Sequence, residues 1–488
     1  MRFNIKKKIV KVLCLMLAIV TYQIKAQEKQ PNILWINSDD LGRELACYGE
    51  PVVKTPHIDA LAKQGVLYTN AYANAPICSA SRSSQITGMY PTAVNSLDHR
   101  TLNMTELPDG IQPITKFFKD AGYFVSNGSG LTMLEKGGKR DYNFTTKVDY
   151  DGTDWDQRKE GQPFFAQVQI KYPHRIFSRD KENPVNPDEV RLPACYPDYP
   201  LLRADWALYL ESVQHCDDIV GKILQKLEDD GLADNTIVFF FGDHGRPHLR
   251  DKQFLYEGGL QIPLIIRWPE HLKPNKKDKR LVSLVDVAAT SLAVSGIKTP
   301  YPLHGKVFLG KNKTKRKYVY GFRQRAGDAA ENLRSITDSR YKLIWNRTYD
   351  RPWMQLTSYK KLQYPAFALY HYLHSKGELK APYNQFMAET KPEFELFDLK
   401  KDPSEFNNLA GDKSCRKIQE KLFQKLSSNL KEYEENMILE DEATIERAKK
   451  GSRVYYNKAL PKQKPGLSVD ANYEEIVKDW ERRLLHKR

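Results

Sequence analysis

PNILWINSDDLG, residues 31–42, is the stretch on which the reading of the fold turns. Asn32–Ile36 is a short buried-strand run, and it ends in Ser38-Asp39-Asp40-Leu41-Gly42. Working outward, Tyr123–Ser126, Phe164–Ile170, Thr236–Phe241 and Pro263–Trp268 read as further strands, bounded by turn residues. Helices alternate with them. TPHIDALAKQG (residues 55–65) has Thr55 to open it, Pro56 in the first turn and Gly65 to close it. Asp205–Asp229 puts Val213, Cys216, Val220, Ile223 and Leu227 on one face, which makes Cys216 a core residue, and Gly231 stops that helix. Strands alternating with helices predict an α/β fold, a mostly parallel sheet sandwiched by helices.

From about Asn332 the pattern changes. LRSITDSRYKLIWN (333–346) and FELFDLKKDPSEFNNLA (394–410) read as antiparallel strands and turns, followed by charged helices around Cys415–Tyr433 and Glu440–Lys450. We therefore expect a first, larger domain over residues 27–330 and a smaller C-terminal α+β subdomain over 331–488 carrying an antiparallel sheet. The basic run Lys311–Lys317 reads as a solvated loop.

The chain opens with a basic start (Arg2, Lys6, Lys7, Lys8, Lys11), an apolar run from about Val12 to Val20, and Ala26 before Gln27. That is the pattern of a secretory signal peptide over 1–26, since the run is too short to cross a bilayer. Cys14 lies inside the apolar run rather than closing it, which argues against a lipid anchor. We expect a periplasmic or secreted product without stable membrane insertion. The whole chain has 76 basic and 61 acidic residues, and removing the segment leaves 70 against 61. Export and the lack of a nucleic-acid motif argue against nucleic acid as partner, and an anionic extracellular substrate suits the excess better. Five cysteines remain, Cys47, Cys78, Cys195, Cys216 and Cys415, an odd and sparse set that is no disulfide framework.

The polar residues fall where the chemistry of such sheets occurs. Asp39 and Asp40 follow one strand, His174 another and Asp243-His244 a third, all at carboxyl ends, where open parallel sheets bind ligands. NAPICSASRSSQITGMYP (74–91) brings a fourth stretch to the same edge. There Cys78 precedes a helix of about Ala80–Thr87 closed by Gly88, and Arg82, four residues on, shares its face. The pair suits a tetrahedral oxyanion, although a buried cysteine and a surface arginine are the bland alternative. Carboxylates gathered at that edge suit Ca²⁺ or Mg²⁺ rather than zinc.

These segments together resemble the formylglycine-dependent sulfatases of the alkaline-phosphatase-like superfamily. The family signature Cys-x-(Pro/Ala)-x-Arg is matched by Cys78, Ala80 and Arg82, and PNILWINSDDLG, YPH (172–174), FFFGDHG (239–245) and KQFLYEGGLQIPLIIRWP (252–269) occur in the family's order. The resemblance covers nearly the whole chain after residue 26. It implies that a formylglycine-generating or sulfatase-maturing enzyme oxidises Cys78 to Cα-formylglycine. One hydroxyl of the hydrated aldehyde then attacks sulfur and the other expels sulfate, while Asp39, Asp40, Asp243 and His244, with residue 78, hold Ca²⁺ in preference to Mg²⁺. By the same resemblance Arg82 and Lys252 bind sulfate and His174 protonates the departing sugar oxygen. One segment departs from the pattern. Where many relatives carry a Gly-Lys-Trp-His-type sequence, this chain reads SNGSGLTMLEKGGKRDYNF (126–144). Lys139 is our candidate for the missing lysine and His99 for the missing histidine, with Arg100 and His248 as further substrate-binding residues.

The branch most resembled includes N-sulfoglucosamine sulfohydrolases and bacterial sulfatases acting on algal polysaccharides such as ulvan. The expected function is hydrolysis of sulfate esters, or of an N-sulfate, of a sulfated glycan. Two alternatives remain at this point: a phosphate-ester hydrolase of the same superfamily, and a catalytically silent glycan-binding protein.

Overall fold

The structure is a computed structural model that describes residues 30–435 and 437–485; the expected signal segment 1–26, with Cys14, lies outside them. Strands β1 (Asn32–Ser38), β2 (Val66–Tyr72), β3 (Phe124–Ser129), β4 (Phe164–Ile170), β5 (Thr236–Gly242), β6 (Gln261–Arg267) and β7 (Lys276–Ser283) form one seven-stranded sheet in the order β3-β4-β1-β5-β6-β2-β7. β1 runs at its centre, parallel to β4 and β5, with Ile33 opposite Phe165 on one side and Ile237 on the other. Only β6 runs against its neighbours. The sheet is mostly parallel, as the continuous apolar runs require.

Alternation along β1 divides the interior. Leu34 and Ile36 face a cluster that includes Ile58 and Leu61 of helix Pro56–Gln64 and Val213, Cys216 and Ile223 of helix Pro200–Asp229. Ile33 and Trp35 face the opposite layer, with Ile86, Phe118, Val287 and Leu292. Each fully buried aliphatic side chain contributes about 1.5–3 kcal/mol, so the two layers clamp the sheet from both faces. Gly65 closes the first helix because only a bare backbone fits there: a Cβ would lie 2.3 Å from the Ile266 carbonyl oxygen.

β8 (Val319–Arg323), β9 (Leu333–Thr337), β10 (Tyr341–Asn346) and β11 (Phe394–Asp398) make a separate antiparallel sheet in the order β11-β10-β9-β8. Leu422, Leu426 and Leu430, spaced four apart on helix Arg416–Tyr433, cover one face, and Phe322, Ile336, Leu343 and Leu396 pack with them. The same cluster holds Ala75, Ile77 and Ala80, so this sheet supports the segment around Cys78. Phe322 N–H donates to the Asn74 carbonyl at 2.8 Å and fixes that contact.

Several expectations are corrected here. The boundary expected after residue 330 cuts the second sheet, because β8 pairs with β9 from before it. The chain beyond it also returns to the first layer: Phe367, Leu369, Ile476 and Val477 pack into the cluster around helix Pro200–Asp229. The last charged helix runs over Glu442–Gln463, longer than read, and is followed by a helix at Tyr473–Leu484. Within the basic run 311–317, Arg316 is not solvated. Its guanidinium is buried on Asp286 and donates to Tyr90 Oη at 2.9 Å, which a buried cation requires.

Candidate active site

Cys78 does not precede its helix but begins it: the helix spans Cys78–Thr87, with Ile77 extended before it and Gly88 left-handed (φ 67°) after it. All ten residues are buried, most of them polar, and the helix persists because its side chains are paired. Asn37 Nδ2 donates to Gln85 Oε1 at 2.9 Å, Asn143 N–H to Ser83 Oγ at 2.9 Å and Ser84 Oγ to the Met89 carbonyl at 2.7 Å. Ser81 Oγ donates to the Asp243 carbonyl. The first turn is thereby fixed against the ends of β1 and β5.

Around Cys78 Sγ stand Asp39 Oδ1 at 3.4 Å, Asp40 Oδ1 at 3.8 Å, His244 Nε2 at 3.2 Å and Lys252 Nζ at 3.3 Å. Asp40 adopts φ 65°, a conformation disfavoured for residues with a Cβ, which turns its side chain in from the end of β1. Lys252 Nζ donates to Asp40 Oδ1 at 2.7 Å, and His244 Nε2 lies 3.0 Å from the same oxygen. Arg82 Nε donates to Asp243 Oδ2 at 3.0 Å, and its Nη2 lies 3.6 Å from Asp39 Oδ1. Lys139 Nζ donates to Asp39 Oδ2 at 2.8 Å and lies 3.4 Å from Asp141. His174 Nε2 is 3.8 Å from Asp40 Oδ2, and its Nδ1 meets the Arg175 carbonyl.

Charge decides the ionisation here. Burial alone would raise Asp39, but Lys139 and Arg82 hold its carboxyl well below the usual range. Burial is likewise overcome at Asp40 by Lys252 and the neighbouring imidazoles, so that this carboxyl too is lowered. His244 goes the other way from its burial, raised well above an ordinary histidine by Asp243 and its neighbours. At His174 burial prevails over Asp40 and lowers the imidazole.

Asp39, Asp40, Cys78 and His244 offer donor atoms all within 4.8 Å of one another. Two buried carboxylates with one imidazole beside residue 78 fit a hard divalent cation. Asp243, expected in that set, stands beside it. Its Oδ1 accepts N–H bonds from Asp40 at 3.0 Å and His244 at 2.9 Å, and its Oδ2 is engaged by Arg82.

Above this group lies a cavity of about 410 Å³ lined by Cys78, His99, Arg100, His174 and Lys252. His99 is half-buried at its wall, and Arg100 is exposed at the rim with Nε donating to Asp141 at 3.0 Å. His248 is not a substrate-facing residue. It is 4 % exposed, boxed by Phe177, Tyr196, Trp206 and Tyr209, with Nε2 3.6 Å from Asp205. Burial and the nearby Arg175 push its imidazole well below the usual range. A larger cavity of about 560 Å³, lined by Glu44, Arg246 and Glu405, contains none of the expected site residues.

The sequence reading missed Gln169, which accepts from Arg82, and Asp141, which bridges Lys139 and Arg100. It also missed a wall of the cavity supplied by Arg447, Ala448, Gly451, Ser452 and Tyr455 of the charged C-terminal helix. The local signal for that wall is the aromatic pair Tyr455-Tyr456, three residues after Gly451-Ser452, in a run otherwise rich in charge.

Residues 31–297 match the family described as Sulfatase, and residues 242–361 match the one described as N-sulphoglucosamine sulphohydrolase, C-terminal. An ulvan-active sulfatase of Formosa agariphila is 31 % identical over 447 residues, covering 80 % of this chain and 72 % of the relative. Human N-sulphoglucosamine sulphohydrolase is 26 % identical, covering 81 % of this chain and 89 % of that protein. A solved structure of a protein in complex with its substrate D-glucosamine-2-N,6-O-disulfate superposes with a TM-score of 0.60 at 19 % identity, covering 84 % of this chain and 99 % of that one; this is a likeness of fold.

Proposed function

The chain belongs to the sulfatase family, with its alkaline-phosphatase-like fold and sulfuric ester hydrolase activity, and on that basis we propose that it removes sulfate from an ulvan-type polysaccharide or its oligosaccharides. We further propose that a maturation enzyme converts Cys78 to Cα-formylglycine and that the chain is exported by its first 26 residues to the periplasm or beyond, where polymeric sulfated glycans are met. One observation carries the reading. Residue 78 is 1 % exposed at the floor of a cavity and in contact with two carboxylates, an imidazole and an ammonium.

Asp39, Asp40 and His244, with residue 78 and with Asp243 beside them, would hold Ca²⁺. In place, the ion and the hydrated aldehyde supply a hydroxyl nucleophile for sulfur. The chain's own residues do the remaining work. Arg82, Lys139 and Lys252 are already fixed by carboxylates and so present positive charge to sulfate oxygens without reorganising as charge develops. Burial of the Cys78 helix excludes water from beneath the reacting atom. His174, on the cavity side of Asp40, is the proposed proton donor to the departing sugar oxygen. His99 and Arg100 are the proposed first contacts for the sugar.

Support for a glycan comes from the named relatives and from a cavity within the ~300–1,000 Å³ usual for ligand sites. The test has two parts. After co-expression with a maturation enzyme, mass spectrometry of the peptide containing residue 78 should show the aldehyde, and the purified protein should release inorganic sulfate from ulvan oligosaccharides in preference to heparan fragments. An unmodified thiol under those conditions would remove the mechanism. Sulfate release from heparan fragments alone would move the substrate.

A further inference from the structure

Gln253 follows Lys252 with φ at 75°, in the left-handed region where a Cβ is disfavoured and glycine is the usual occupant. The conformation is imposed from both sides. Its N–H donates to the Pro76 carbonyl at 2.8 Å, two residues before Cys78, while Lys252 is held on Asp40 at 2.7 Å. A position whose backbone favours glycine nevertheless carries a long polar side chain, and that side chain is only 4 % exposed. It lines the 410 Å³ cavity beside Cys78, His174 and Lys252. Its Oε1 is buried with no hydrogen-bond partner. Strain at the backbone and an unmet acceptor at the tip both cost free energy, and such costs concentrate where a ligand uses them. A carboxamide can both donate and accept, as recognition of a sugar hydroxyl or an amine N–H requires.

The facing wall supplies the second half of the argument. Tyr455, 45 % exposed, and Arg447 are brought there by helix Glu442–Gln463. Arg447 Nη2 donates to Asn103 Oδ1 at 2.8 Å, which orients a guanidinium that has further N–H donors to offer. An amide at the floor, with an aromatic ring and a cation at the mouth, matches a sulfated glycan: polar groups around the reacting sugar, then an apolar sugar face and an acidic substituent beyond it.

Building on the sulfatase reading, we propose that Gln253 hydrogen-bonds the hydroxyl or N–H adjacent to the sulfated position of the sugar held over residue 78. Tyr455 and Arg447 hold the adjoining sugar, so that this wall selects the glycan. Gln253 is then a specificity residue.

Binding tests this without turnover. The Cys78→Ala chain is titrated calorimetrically with a sulfated ulvan oligosaccharide and, in parallel, a heparan-derived one. Gln253→Gly, added to it, keeps the left-handed backbone and removes the amide. We expect binding at least about tenfold weaker, the loss of roughly one hydrogen bond, and a melting temperature that is unchanged or raised because φ is relieved. Gln253→Met, which keeps the volume and removes the polarity, should lose as much, and Tyr455→Ala about threefold to tenfold. If Gln253→Gly and Gln253→Met both bind within twofold of their parent, the proposal is overturned. It is also overturned if the parent binds neither oligosaccharide, and sulfate release from 4-nitrophenyl sulfate by the matured wild-type chain then decides separately whether the sulfatase reading stands.

Discussion

Two helices border the same cavity and are built on opposite rules. Cys78–Thr87 buries all ten of its residues, whereas Glu442–Gln463, 22 residues long, buries Thr444, Tyr456 and Leu460. The short helix is polar yet interior, and its serines, Gln85 and Arg82 are tied to β1, β5 and the Asn143 segment, so displacing any one would strand a buried partner. The long helix is held mainly through Tyr456 and Leu460 against Leu362 and by the Arg325–Glu440 pair before its start. Chemistry needs groups fixed before the reaction begins; recognition needs only a surface of suitable shape, which a lightly anchored helix can supply.

The contrast can be broken most sharply at residue 78. Cys78→Ser should lower turnover by about 10⁴-fold or more on every substrate while the melting temperature stays within about 2 °C, because the sulfate ester of serine has no neighbouring hydroxyl to expel it. Sulfate release and thermal melts check this, and a serine variant within tenfold of wild type would end the formylglycine reading. A smaller loss, about 100- to 1,000-fold in kcat, is expected for Lys139→Ala, which removes a fixed cation. Lys136→Ala, on an exposed side chain three residues earlier, should leave kcat unchanged. Equal behaviour of the two variants would take sulfate away from Lys139.

Removal of the proposed metal should act on the buried side of the cavity alone. Ca²⁺ present at a hundred times its Kd should add about 2.7 kcal/mol to stability, lost on chelation and regained on adding calcium. Elemental analysis finding two zinc ions per chain would instead favour phosphate-ester hydrolysis. The smallest effect lies where the two sides meet. Asp98 accepts from Arg325 N–H at 2.9 Å, and burial together with Glu440, against the pull of Arg325 and Arg334, raises its carboxyl to about 7. A carboxyl raised above its unfolded value of about 3.9 supports the fold fully below that pH, and its contribution is lost as pH rises through about 7. Asp98→Asn, neutral throughout, should therefore exceed wild type by about 1–2 kcal/mol at pH 8 and match it near pH 4, as read by denaturant melts at both pH values. A constant difference between the two pH values would assign the effect to packing.

Much of the first layer is legible in the sequence because its signals are local. Phe164–Ile170 is a strand over the residues read for it, since an unbroken apolar run between turns has little else to form. Asp39, Asp40, His174 and Asp243 fall just past strand ends, the edge at which a parallel sheet gathers its ligand-binding residues. Lys139 is reached through a gap in a family pattern, and the fold carries it to Asp39 across a separation of 100 residues. His248 is misread for the opposite reason. Its neighbours in sequence are site residues, but burial is set by Phe177, Trp206 and Tyr209, which arrive from other segments.

Local sequence suffices for the helix and strand periods, for the sheet edge that gathers the acidic residues, and for the signature Cys78-x-Ala80-x-Arg82, because each is written within a few residues of chain. Four features exist only in the assembled fold: β8 joins the second sheet, Arg316 turns inward to Asp286, Gln253 lines the cavity without a partner for its Oε1, and a charged helix from the far end of the chain becomes the cavity's wall. Pairing, burial and cavity shape depend on which distant surfaces meet, and local periodicity carries no information about that meeting.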